Sequence, residues 1–154
     1  MRRRKILMSM QEVNKVSQLR TPTMDKPTEL MPTPYLADEK QFHRVAHHLL
    51  DSISRPPVTH QLVDIYNLLL KKQCQLWAAT NSAVITIIQE NPIGIFVTIW
   101  LAGGNLKECL AIEESITQWA KAMNAHSILI LGRKGWVRKL KDYEQIDILM
   151  EKKL

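Results

Sequence analysis

Ala102-Gly103-Gly104-Asn105-Leu106 is the stretch best suited to hold an anion. An apolar run ends there and a helix pattern begins. The first turn of a helix carries N–H groups with no intrahelical acceptor, and its dipole adds positive potential. Glycines let a phosphate come close. Gly103, Gly104, Asn105 and Leu106 are therefore candidate anion-binding residues, with a plain strand-to-helix turn as the alternative. Proton transfer is less well served. Residues 93–101 hold no ionisable side chain, and Glu90 just before them is the nearby carboxylate. As a turn residue it is expected to be exposed. Arg133, Lys134, Arg138, Lys139 and Lys141 form a basic cluster that suits an acidic protein, a phosphorylated ligand or nucleic acid, or is simply a solvated face. His43 and His47 stand one helical turn apart, a zinc-ligand spacing, but no Glu follows the first and no third ligand is suggested. No metal is expected.

These residues need elements to position them. Ile93–Leu101 is almost wholly apolar, so neither face of that strand can meet water and it belongs inside a sheet. Asn105 and Glu108 stand at capping-box spacing at the start of the next helix. Leu106, Cys109, Leu110, Ile116, Trp119, Ala120 and Met123 recur at steps of three and four and form its sheet-facing stripe. Ser127–Leu131 is a second apolar strand, parallel to the first with a right-handed crossover. Gly132 then opens a short helix with Trp136, Val137 and Leu140 turned inward. Gln145–Met150 reads as an edge strand.

Upstream, Asp38 caps a helix running to about Ile53, with Phe42, Val45, Ala46, Leu49, Leu50 and Ile53 as its stripe. Thr59 caps another to about Lys72, with Leu62, Ile65, Tyr66 and Leu69 inward. Gln75–Thr80 and Ala83–Gln89 are strands joined through Asn81-Ser82, and Asn91-Pro92 turns into the central strand. The fold class is thus a mixed α/β sheet: two helices, a three-strand antiparallel meander, a long helix, a parallel strand, a short helix and an edge strand.

Residues 1–35 hold seven Lys or Arg against three acids, 36–131 seven against eight, and 132–154 seven against four. The positive excess belongs to the two ends. Pro22, Pro27, Pro32 and Pro34 make 21–35 an extended linker, and Met10, Val13, Val16 and Leu19 make a short helix too small to bury itself alone. The expected division is a basic, proline-rich arm, 1–35, and a domain, 36–154, with the arm disordered or laid along another chain. Cys74 and Cys109 sit in apolar-periodic stretches and read as buried free thiols in a reducing compartment. The basic start has too short an apolar run behind it for a secretory leader, and no apolar run spans a bilayer as a helix.

The order of elements in 36–151 resembles the GNAT (GCN5-related N-acetyltransferase) fold, without a recognisable first strand. A closer likeness lies in Ala102-Gly103-Gly104 and in Gly132-Arg133-Lys134-Gly135-Trp136-Val137-Arg138-Lys139-Leu140, similar to small GNAT-like proteins encoded among tailed-bacteriophage structural genes. The resemblance implies acetyl-CoA as cofactor, with its pyrophosphate on the loop Gly103–Leu106. It also implies a general-base Glu on or near the fourth strand, for which Glu90 is the candidate, and a Tyr in the last helix. Here the glycine-loop pattern is incomplete, no carboxylate lies in 93–101, and no Tyr lies between Arg133 and Asp142; Tyr143 falls where the family has a packing aromatic. The resemblance therefore implies a non-catalytic phage protein with no cofactor, a virion or assembly component in the virion or host cytoplasm. Its arm would dock on other virion proteins, or copies would self-associate. The alternative is an acetyl-CoA-dependent N-acyltransferase with a non-standard site. Nucleic acid fits less well, because Trp136, the aromatic available for stacking, is phased toward the core.

Overall fold

A sheet of five strands in the order β1-β2-β3-β4-β5 carries the fold. The computed structural model describes residues 35–132 and 135–154. The strands are β1 Leu36–Ala37, β2 Gln75–Ala78, β3 Ser82–Asn91, β4 Gly94–Gly104 and β5 Ser127–Ile130. The first three pairings are antiparallel and β4–β5 is parallel. Between β1 and β2 run α1, over 39–53, and α2, Leu62–Leu70. Helix α3, Leu106–Ala122, links β4 to β5, and α4, Gly135–Lys139, follows β5. The apolar run around Ile95–Leu101 thus has a neighbour on each edge, as its composition demands.

Both faces of the sheet are covered. On one, Ile112, Ile116, Trp119 and Met123 of α3 pack on Trp77, Val84, Ile88, Ile95, Val97 and Ile99. The Trp77 and Trp119 rings meet edge to face at 5.2 Å, a favoured aromatic geometry. On the other, Phe42, Val45, Leu49 and Ile53 of α1 and Ile65 and Leu69 of α2 pack on Leu76, Ala83, Ile85 and Leu101. Strand parity explains most of this division, since alternate residues face opposite sides. It fails once. Ile99 faces α3, yet Leu101, two residues on, faces α1 and α2. The register accounts for it: Ile85 pairs with Leu101 but Thr86 pairs with Ile99. Trp100 is the extra residue of a β-bulge, and the bulge turns the end of β4 over.

Helix ends follow local chemistry. Asp38 caps α1 through Lys40 N–H (3.1 Å). Helix α1 is made of alternating 3-10 and α turns, with Val45 at φ −114° where two of them meet. Helix α2 begins later than expected. Thr59 Oγ1 is engaged with His60 Nδ1 (2.8 Å), and Gln61 takes the cap, its N–H donating to Asp64 Oδ2 (2.8 Å). Asn124, at φ 56°, ends α3, with Ala125 N–H returning to Ala120 O (2.9 Å) in a helix-stop motif that favours Asn or Gly.

Other expectations need correcting, beginning with Leu50 and Leu106 of the inward stripes, which are 50% and 43% exposed. A first strand exists: Leu36–Ala37 pairs with Trp77 and Leu76, a strand too short to carry a period. The central strand starts at Gly94, since Ile93 is 73% exposed in the turn where its N–H bonds Asn91 Oδ1. It also runs through Gly103 and Gly104, which pair with Ala83 and Ser82 and so belong to the sheet. Val137 is exposed rather than inward, whereas Leu140 is buried. Finally, Gln145–Met150 forms no strand. Its alternation is strand-like, but a strand needs a neighbour. Tyr143, hydrogen-bonded through its hydroxyl to Glu113 of α3, starts this tail on the helix instead of beside β5. The arm 1–34, with its expected helix and most of its linker, lies outside the described residues, as do Arg133 and Lys134.

Candidate active site where β4 and β5 part

Strands β4 and β5 pair only from Phe96/Ser127 to Ile99/Ile130, with Leu131 N–H reaching Ile99 O (3.1 Å) as the last bond. Beyond it the bulge at Trp100 carries β4 away, and α4 takes the chain after β5 elsewhere. A wedge opens between them. Its cavity has a volume of about 30 Å³ and lies among Trp100, Leu101 and Ala102 of β4, Ile130 and Leu131 at the end of β5, and Trp136 of α4. A water-sized group needs about 10–15 Å³, so the cavity admits roughly two.

The polar groups around it come from three elements. Ser52, on α1, has its Oγ 3.3 Å from Ala102 N, where it accepts the hydrogen bond a neighbouring strand would take. Arg55 follows α1, its Nη2 on Asp51 Oδ2 at 3.0 Å. Its Nε is buried with no hydrogen-bond partner, which costs free energy. Glu113 comes from α3. Its Oε1 accepts from Thr117 Oγ1 (2.8 Å) and from Tyr143 Oη (2.7 Å). Burial first, and then the bond to Glu113, raise the Tyr143 pKa, so that hydroxyl stays protonated and donates. Burial also raises Cys109, whose Sγ lies 3.6 Å from Gly103 O beside the wedge.

The sequence-derived candidates fall in different places. At Gly103, a Cβ would overlap the carbonyl oxygen of His48 and lie 2.9 Å from its carbon, so α1 backbone occupies the space the missing side chain leaves. Gly104 has φ +111°, and a Cβ there would overlap Asn81 O and stand 2.6 Å from Ser82 Cα. Asn105 N–H donates to Ser82 Oγ (2.9 Å) and Asn81 O (3.0 Å), while its side chain caps Glu108 N–H (3.1 Å). Glu108 does not return to Asn105 N–H. Its Oε2 accepts from Asn81 N–H (2.9 Å) and Ser82 Oγ (2.7 Å). The close approach that these glycines permit is made by protein backbone, and a carboxylate already lies at the helix start. Leu106 is 43% exposed on the first turn.

Glu90 is exposed near the β3–β4 hairpin and pairs with Ile95. Ile95 lies four residues before Ile99, the last β4 position paired with β5, or about 13 Å at the rise of a strand. Arg138, Lys139 and Lys141 are exposed on and after α4. Among the described residues no three His, Cys, Asp or Glu side chains gather as a metal site. His43 and His47 are exposed. No helix among the described residues is long and apolar enough to cross a membrane. Cys74 and Cys109 are buried and free.

The sequence reading missed Glu113, Arg55 and Ser52. Glu113 left a signal: it lies four residues after Cys109 and three before Ile116, so it interrupts the sheet-facing stripe with a carboxylate. Arg55 and Ser52 left none, because their meeting with β4 depends on how α1 crosses the sheet.

No protein-family model matches the chain. No curated protein matches it either. Solved structures do. A ribosomal-protein-alanine N-acetyltransferase from Brucella melitensis biovar Abortus 2308 superposes with a TM-score of 0.52 at 14% identity, over 77% of this chain and 92% of that one. A tetramutant protein from Bacillus halodurans gives 0.55 at 9% identity, over 77% and 97%. A predicted acetyltransferase with acetyl-CoA from Clostridium acetobutylicum gives 0.53 at 15% identity, over 77% and 93%. At such identities the likeness is one of fold alone, and the fold of this chain is GNAT-like.

Proposed function

We propose that the wedge between β4 and β5 takes the acyl-thioester end of acetyl-coenzyme A, and that the chain is an N-acyltransferase with a non-standard active site. The observation that carries this reading is the parting of the two strands after Ile99/Ile130 at the Trp100 bulge, which leaves β4 without a neighbouring strand on that edge over Trp100–Ala102. The likeness to an acetyltransferase structure with acetyl-CoA supports it. So do the buried Arg55 Nε–H that lacks an acceptor and a cavity sized for a short acyl head. The loop Gly103–Leu106 fits the pyrophosphate less well. Asn105 N–H is already used, and Glu108 adds negative charge. The Leu106 and Lys107 N–H groups, at the first two helical positions, are the donors that remain for a phosphate.

When bound, acetyl-CoA supplies the activated acyl group. The chain's own residues orient and deprotonate. Past Ile99 the edge of β4 has no neighbouring strand and would align an extended arm as a strand would, the arm displacing Ser52 Oγ from Ala102 N–H. Arg55 Nε–H donates to an oxygen in the cavity. Glu113 is the carboxylate that lines the cavity; it would take the proton the amine loses as its nitrogen bonds the acyl carbon and the C–S bond breaks, and that proton would pass to the departing thiolate. Tyr143 and Thr117 hold Glu113 in place. Proximity contributes the rest.

Calorimetry with acetyl-CoA tests the reading. Saturable one-to-one binding is expected, weakened at least tenfold by Ile130→Trp, which fills the wedge. Glu113→Gln should keep binding and lose turnover. No saturable heat at millimolar ligand would refute it.

A second reading is favoured by the loop: Asn105 N–H is spent within the protein and the Glu108 carboxylate already lies at the helix start, as in a domain that has no pyrophosphate to bind. On that reading the chain is a non-catalytic assembly component whose arm, 1–35, docks on a neighbouring protein. A tailed-phage virion as its setting rests only on the likeness of Ala102-Gly103-Gly104 and of Gly132–Leu140.

A further inference from the structure

The walls of the wedge differ in how firmly they are held. Val84, Ile99 and Ile116 are each no more than 6% exposed and belong to the packing of α3 on the sheet. A wall packed at interior density does not yield to an added methylene without strain. Trp136 of α4 is different. It lines the same cavity but is only half-buried, and it stands outside the two cores that flank the sheet. Its indole lies over Gly132, where the chain leaves β5. A Cβ on Gly132 would stand 2.9 Å from Trp136 Cδ1 and 3.3 Å from Ile130 Cγ2, so the indole and Ile130 close on the same spot. The ring is held there through α4. Leu140, which is buried, donates its N–H to Trp136 O (2.8 Å), and Tyr143 N–H returns to Leu140 O (3.1 Å). The Tyr143 hydroxyl in turn ties this end of the chain to Glu113 of α3.

Given a wedge that takes the acyl-thioester end of acetyl-coenzyme A, we propose that Trp136 sets the length of the acyl chain and restricts the donor to acetyl. The cavity has a volume of about 30 Å³, and a water-sized group needs about 10–15 Å³. An acetyl group carries an oxygen and a methyl beyond its carbonyl carbon, and these fill the space. A butyryl group adds two methylenes, each close to the size of a water. The buried walls do not make room for them, so they need the space where the indole stands. A methylene too many in a closed apolar pocket is discriminated against by about 10–200-fold.

Calorimetry of the full chain with acetyl-CoA and with butyryl-CoA tests this. Wild type should bind acetyl-CoA at least about tenfold more tightly than butyryl-CoA. Trp136→Ala should erase that preference or reverse it, and Trp136→Phe, which keeps a smaller ring, should fall between. The readout is the ratio of the two affinities within one protein, which a general weakening does not move. Circular dichroism should show helix and sheet content kept in both variants; if Trp136→Ala fails to fold, the ratio in Trp136→Phe decides. A wild type that binds both donors equally, or variants that keep the wild-type ratio, overturn the role of Trp136 and leave the wedge as an acetyl-CoA site. No saturable heat with either donor removes the site and this role with it.

Discussion

Gly103→Ala separates packing from ligand binding at the start of α3. A methyl group there meets the carbonyl of His48. The obstacle is backbone, so no side-chain rotation relieves it, and α1 must move off the sheet. That movement loosens Val45 and Leu49, both fully buried. Overpacking of this kind costs about 1–3 kcal/mol, and the immobility of the obstacle puts Gly103→Ala near the top, at about 3 kcal/mol. For a chain of this size that is a fall in Tm of roughly 10 °C. Urea unfolding followed by circular dichroism would measure it, with Gly135→Ala as control. A Cβ at Gly135 meets nothing within 4 Å, so that variant should unfold within about 1 kcal/mol of wild type. A Gly103→Ala protein that lost less than about 0.5 kcal/mol, or that kept its stability while losing acetyl-CoA, would refute the assignment of this glycine to packing.

Thr86→Val keeps the shape of the side chain but leaves the buried Trp77 Nε1–H, now 2.9 Å from Thr86 Oγ1, without an acceptor. It should cost about 1–3 kcal/mol in urea. Asn105→Ala removes the α3 cap and should cost about 1 kcal/mol by the same assay. Burial pushes the Cys74 thiol from 9.0 up to about 12. Folding therefore favours the neutral thiol; its contribution is intact below about pH 9 and is lost as the pH rises toward 12. Stability should fall less steeply over that window in Cys74→Ala, and a thiol reagent at pH 8 should react with wild type only after unfolding.

What the sequence conveyed best was periodic. The apolar run of β4, the stripe of α3 and the Asn105 cap each depend on residues near one another in the chain, so their patterns survive in one dimension. The bulge at Trp100 does not: nothing in Ile99-Trp100-Leu101 marks the change of face, which arises from the register with Ile85 and Thr86. The glycine pair shows the same limit. Its composition is compatible with an approaching phosphate or with approaching backbone, and the choice is made by where α1 and the β2–β3 turn come to rest. Glu113 was legible in principle, because a carboxylate on an apolar stripe needs a reason. Gln145–Met150 shows the converse, a strand pattern that finds no partner within its own sheet.

Nuclear magnetic resonance titration of the labelled full chain with acetyl-CoA would test the wedge most directly. The account predicts amide shifts concentrated at Trp100, Leu101 and Ala102 on β4 and at Leu131 and Gly132 after β5, saturating together. No shifts at those five amides at millimolar ligand, or shifts confined to the exposed face of α4, would contradict it.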